Sequence, residues 1–473
     1  MNVAFAPIEG TRQLKALRVE RAPALPPSWV ERAMVVVTTF VLLNKLPNTW
    51  FVTRSEHLAD PSNAVATLTQ LGLMGLAIIR LMGMLNPLVK LIRSEVFVFL
   101  FAGMTLLSVL WSADLAHTAK EGTIFVFATL YAAYLVIRFR LDEIIKLIAI
   151  MYVIGGLVNL GVVLATPQYG IQSNGLWSGV FAQKNGLGYL SALAIPTLWL
   201  AARLSRKVQI LYFAGIVIHV ILLLGSDSKT MLGAAVVSLA SIFLLGTLRS
   251  RRTLRGGALV TIVMLASLTA SLTLLKIKEL TNWLDKDVTL TGRIPLWQSI
   301  APVLDDRPWV GWGFEAAFGG YFSPTHDVWL DHPWQPSHSH NLVLQLWLEV
   351  GLIGLALYLA FFIRAVSRGV TVVGKFQTPA ALWPMALLVF ALLISITETG
   401  MYRQELGWVL IVVASLSIAI NYDRNPAAEE ESERQRLVGA NFTPEPEFLD
   451  QPKSPSFIED LPVLEAPDYS RFP

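Results

Sequence analysis

Residues 291–341, TGRIPLWQSIAPVLDDRPWVGWGFEAAFGGYFSPTHDVWLDHPWQPSHSHN, form a polar and aromatic island between two long apolar runs. The island holds four of the seven histidines, His326, His332, His338 and His340. A protein that only spans a membrane joins its helices by short connections, so a long insert rich in Trp, Gly, Asp and His points to a site built outside the bilayer.

The chain around it is apolar. Its 473 residues are 54% hydrophobic and 15% charged, whereas an ordinary soluble domain has roughly 25% charged residues. Runs long enough to span centre near residues 39, 74, 104, 130, 154, 195, 217, 239, 266, 353, 389 and 414. The expected fold is all-α and integral to the membrane: a polytopic bundle of about 12 transmembrane helices with one large extracytoplasmic loop. The net charge of +3 and pI near 9.0 do not call for nucleic acid, because Lys and Arg cluster at helix ends. The chain has no Cys, which excludes disulfides, Cys-ligated metals and a thiol nucleophile.

Three segments are expected. Residues 1–29 read as a cytoplasmic N-terminal arm and residues 30–421 as the membrane domain. Within that domain the loop 276–341 is placed on the periplasmic side. Residues 422–473, rich in Pro and Glu, read as a disordered cytoplasmic tail. The start is polar, so no cleavable signal is expected and the first helix serves as the anchor. Basic clusters at Arg80, Lys90 and Arg93, at Arg138 and Arg140, at Arg203, Arg206 and Lys207, and at Arg364 and Arg368 mark the cytoplasmic ends.

Several residues carry candidate chemistry. The spacing predicts a short helix from Arg293 with Ile294, Trp297, Ala301 and Leu304 on one face, stopped by Pro308. Arg293 at its start suits phosphate, through a bidentate fork beside free backbone amides; a solvated or ion-paired surface Arg is the plainer reading. His338 and His340 stand directly before the apolar run that begins at Leu342, where imidazole suits a general base. No third ligand follows at metal-site spacing, so no metal is expected. Lys229, in GSDSKT, is an outer cation that positive-inside anchoring does not explain, although Asp227 stands ready to pair with it. Lys184, in FAQKNGLG, is a further cation at an outer connection. Glu349 lies within the apolar run, where an ionisable residue faces the bundle and has a partner or a role.

SGVFAQKNGLGYL at 178–190, GSDSKTMLG at 225–233, the stretch 291–314 and HSHNLVLQLWLEVGLIGL at 338–355 together resemble the O-antigen ligase and polymerase superfamily. These are integral membrane glycosyltransferases that include Wzy-type polysaccharide polymerases and WaaL-type O-antigen ligases. The form FAQKNGLG is more similar to the exopolysaccharide-polymerase branch. The resemblance implies a donor glycan on undecaprenyl diphosphate and transfer to a hydroxyl at the outer face of a bacterial inner membrane, with no metal and no cofactor. It implies membrane lipid, a chain-length regulator and a flippase as partners. Arg293 matches the family's Arg in the large loop, and His340 the His preceding Asn at its end. Where the family often has Arg, this chain has Lys229, which keeps the charge and loses the fork. The implied roles are His340 as base with His338 in support, Arg293 and Lys229 on the diphosphate, and Lys184 and Glu349 as supporting residues. The alternatives are an O-antigen ligase acting on lipid A-core and a transporter or flippase for lipid-linked sugars. A transporter should concentrate its polar residues at mid-membrane.

Overall fold

The protein is described by a computed structural model over residues 26–44, 64–248, 251, 293–318, 323–332, 334–395, 398–399, 401–402 and 405–424. The apolar run near 266, residues 276–292 of the expected loop, the arm up to residue 25 and the tail from 425 lie outside the described residues. All that is described belongs to one unit, Met1–Arg424. Among the described residues the only strand pairing is an isolated bridge between Ile171 and Trp177.

The helices run in chain order as α1 (Trp29–Asn44), α2 (Ala64–Met82), α3 (Leu85–Ser94), α4 (Val96–Leu107), α5 (Leu115–Arg138), α6 (Leu141–Ala165) and α7 (Lys184–Leu204). There follow α8 (Gln209–Gly225), α9 (Lys229–Leu248), α10 (Arg293–Asp306), α11 (His326–Asp331), α12 (Leu342–Lys375), α13 (Trp383–Ile394) and α14 (Glu405–Tyr422). Six helices among the described residues are long and apolar enough to cross a membrane, and seven if α2 and α3 count as one bent span. Three more apolar helices, Val96–Trp111, Pro379–Ile394 and Leu406–Tyr422, are shorter. The described residues are thus nearly all-helical and those of a multi-pass membrane protein, and among them the runs near 104, 389 and 414 form shorter helices than the expected spans. At Gly83 the chain turns by 101° into α3. Lys90 and Arg93, expected on a loop, sit on this amphipathic helix instead; its charged face cannot be buried in hydrocarbon along the line of α2.

The core is aromatic at its centre. Trp408 of α14 stacks on Phe125 of α5 at 4.4 Å and meets Phe101 of α4 and Phe361 of α12 edge-on or tilted. Its indole donates to Thr129 Oγ1 at 2.8 Å, so the buried N–H is satisfied. Glu95, wholly buried before α4, is bound by Arg368 at 2.6 Å and Arg364 at 3.6 Å from α12. Two Arg expected as membrane-end anchors therefore also clamp α12 to the start of α4.

The feature that positions the polar island is a break in α12. Gly351 has φ +66° and ψ −174°, so the helical hydrogen-bond ladder is interrupted inside the run that sequence reads as continuous. The freed groups are satisfied by the stretch 308–313 of the polar island. Leu352 N–H donates to Pro308 C=O at 2.9 Å and Ile353 N–H to Trp309 C=O at 3.2 Å. In return, Trp312 N–H donates to Leu348 C=O at 2.8 Å and Gly313 N–H to Glu349 C=O at 2.9 Å. Backbone groups at membrane depth need such partners. The approach requires glycine on both sides: a Cβ at Gly351 would overlap the Trp309 carbonyl carbon, and one at Gly311 (φ +68°) would lie 2.6 Å from Glu349 C.

Candidate active site

α10 carries Arg293 at its first residue and is fixed to the bundle through Leu296, Ile300 and Leu304, packed with Ala317, Val328 and Leu348. This corrects the predicted face. Leu304 holds, but Ala301 is exposed and Ile294 only half-buried, because the helix sits with its 296/300/304 row against α12. Its end at Asp306, just before Pro308, is as expected. Trp297, half-buried on the flank, donates its indole N–H to Ser339 C=O at 2.8 Å, tying α10 to the histidine turn.

That turn is strained. His340 has φ +52°, a left-handed conformation that costs a non-glycine residue roughly 1–2 kcal/mol. It is held on both sides. Asn341 caps α12 by accepting from Leu344 N–H at 3.1 Å, and Ser339 Oγ donates to Asn341 C=O at 2.8 Å. His340 N–H donates to His338 Nδ1 at 3.3 Å, and the two imidazole rings lie 3.9 Å apart. Trp334 covers His340 at 5.6 Å.

The strain aims His340 at a carboxylate that sequence reading did not single out. Glu398, on the connection between α13 and α14, has His340 Nδ1 at 3.1 Å from its Oε2, and Arg293 donates to its Oε1 at 3.0 Å. The side chains of Arg293, Glu398 and His340 are 17%, 15% and 18% exposed, so the cluster is largely dry yet reachable from outside. Burial pushes the Glu398 carboxyl up, but the His340 hydrogen bond and the Arg293 charge outweigh it and hold the group below its ordinary range. A carboxylate only accepts, so His340 donates from Nδ1 and Nε2 is left as the ring's proton acceptor.

A second arm reaches the same carboxylate. Asn185 Nδ2, at the start of α7, is 3.5 Å from Glu398 Oε1, and Ser228 Oγ donates to Asn185 Oδ1 at 3.3 Å. Asn185 and Ser228 each follow or precede one of the predicted cations by a single residue. Lys184 donates to Asp227 C=O at 3.4 Å, which binds the 184 and 229 corners together. Lys229, exposed at the first residue of α9, adjoins this Ser228–Asn185–Glu398 relay, which leads to Arg293 and His340. The structure therefore brings Arg293, His338 and His340 into one cluster, sets Lys184 and Lys229 at its edge, and links Glu349 through Gln345 to Ser339, the residue before His340.

Residues 213–359 match the family model described as Wzy_C, O-Antigen ligase. The match supports the O-antigen ligase/polymerase superfamily, whose members are membrane glycosyltransferase-like ligases and polymerases acting on lipid-linked glycans. The Wzy_C segment contains Lys229, Arg293, His338, His340 and Glu349, and it ends before Glu398. No curated protein matches the chain.

His338, His340 and Glu398 each present one ligand atom within 4.8 Å of the others, a geometry sequence reading did not foresee, since Glu398 supplies the third group. The same carboxylate already carries the Arg293 guanidinium at 3.0 Å, a fixed positive charge that opposes a second cation at this position.

Proposed function

We propose that the chain is a metal-independent inner-membrane polysaccharide polymerase, joining oligosaccharide repeat units carried on undecaprenyl diphosphate at the periplasmic face. The observation that carries the reading is the single carboxylate, Glu398, that holds both Arg293 and His340 and leaves His340 Nε2 free to accept a proton. In this reaction an acceptor hydroxyl attacks the anomeric carbon of the donor glycan. The new glycosidic C–O bond forms as the bond to the diphosphate breaks, and the bonding pair leaves with the diphosphate. The hydroxyl proton passes to His340 Nε2, with His338 in support, and Glu398 stabilises the imidazolium. Arg293 keeps guanidinium N–H groups beyond the one given to Glu398; with Lys229, and Lys184 near it, these offset the charge growing on the leaving group. The half-buried cluster limits water as a competing acceptor.

The FAQKNGLG form around Lys184 favours polymerase over ligase. Size analysis of lipid-linked intermediates in a deletion strain tests this. Single repeat units on the carrier, with polymer restored by the wild-type chain but not by Arg293→Ala or His340→Ala at equal membrane abundance, are expected. Full-length polymer accumulating on the carrier would assign ligation instead.

A further inference from the structure

Glu349 is wholly buried in α12, as are Gln345 one turn earlier and Ser339 beyond the helix start. Taking a carboxyl group into a membrane bundle is costly, and residues of this kind have partners or roles. Here both oxygens are used. Gln345 Nε2 donates to Glu349 Oε1 at 2.7 Å, and Tyr402 O–H donates to Oε2 at 2.9 Å. With its amide nitrogen fixed this way, Gln345 turns Oε1 outward, where it accepts from Ser339 N–H at 2.7 Å. The reversed amide would oppose two donors at Ser339.

The two ends of this relay reach the two sides of the His340–Glu398 contact. Ser339 is the residue before His340, and its C=O takes the Trp297 indole from the helix that begins with Arg293. Tyr402 lies four residues after Glu398 on the same connection. Leu342 N–H also donates to Ser395 C=O at 3.0 Å, closing the gap from below. We infer that Gln345 and Glu349 are positioning residues: a buried hydrogen-bond relay inside α12 fixes the left-handed His340 turn and the Glu398 connection against each other. The inference rests on the reading of His340 as the base, but its geometry can be measured without glycosyl transfer.

The test uses the full chain in native membranes. The rate at which diethyl pyrocarbonate modifies His340 is read by mass spectrometry, beside the length of the glycan made in cells. Glu349→Leu and Gln345→Met, each of which removes two hydrogen bonds of the relay, are expected to speed His340 labelling at least about fivefold and to shorten the glycan. Glu349→Gln, which keeps an acceptor for Gln345, should stay near wild type in both. His219, buried between Tyr152 C=O and Ser191, should label at an unchanged rate. Unchanged His340 labelling in both variants overturns the inference even if glycan is lost, and so does an equal rise at His219, or Glu349→Gln behaving as Leu. Faster His340 labelling with full-length glycan would uphold the relay and refute His340 as the base. Should Glu349→Leu fail to accumulate, Gln345→Met and Tyr402→Phe decide by the same criteria.

Discussion

At the scale of the residue, the site turns on how Glu398 is charged. Its folded carboxyl titrates below the ordinary range, so it contributes stability that is present above the ordinary carboxylate range and is lost as pH falls through the depressed folded value. The Glu398→Gln variant lacks that contribution. Thermal unfolding of the purified protein as a function of pH should show wild type above Glu398→Gln at neutral pH, with the gap closing only below 4.5, the ordinary value for this carboxyl. A gap that persists unchanged into strong acid would mean the carboxylate is not ionically held. Arg293 and His340 were legible in sequence because a cation at a helix start and an imidazole at the end of a polar island break the surrounding apolar pattern. Glu398 was not, because a lone acid in ITETG after an apolar run looks like any solvated connection. Its meaning comes from residues 58 and 105 positions away, a contact no local window contains. Ser228, beside Lys229, likewise went unmarked, because its link to Asn185 spans 43 positions.

At the scale of the element, α12 is the piece that sequence reads least completely. Its apolar run is evident and its Asn341 start is signalled by an N-cap residue. The break at Gly351 is hidden, because an isolated glycine in an apolar helix is common and only the insertion of 308–313 gives it a reason. Gly351→Ala should be destabilising by about 2 kcal/mol or more, since alanine carries the left-handed penalty and must also displace the Trp309 backbone. Gly161→Ala, on α6 with open space around it, is the matched control and should be neutral. Denaturant midpoints of the solubilised protein, followed by tryptophan fluorescence, compare the two. Equal midpoints would show that the loop's hold on α12 contributes nothing to stability.

At the scale of the whole molecule, the apolar runs predicted a helical membrane bundle correctly, but could not show which runs bend or shorten, because that depends on neighbours such as Glu95 and Arg368. The orientation expected from the Lys and Arg distribution can be tested with single substitutions, because the chain has no Cys. Asp306→Cys, at the last residue of α10, should react with an impermeant maleimide added to intact cells with the outer membrane opened, and Lys207→Cys should react only after lysis. The reverse pattern would put the Arg293–Glu398–His340 cluster on the cytoplasmic side, away from a periplasmic donor.

The interlock at Gly351 also limits how such a protein can vary. Because stretch 308–313 completes the hydrogen bonding of α12, the polar island that contains it is no detachable module that can be exchanged alone. The heritable unit is that island together with the two halves of α12 that it splices, so the island's sequence and the packing of α12 must drift as one.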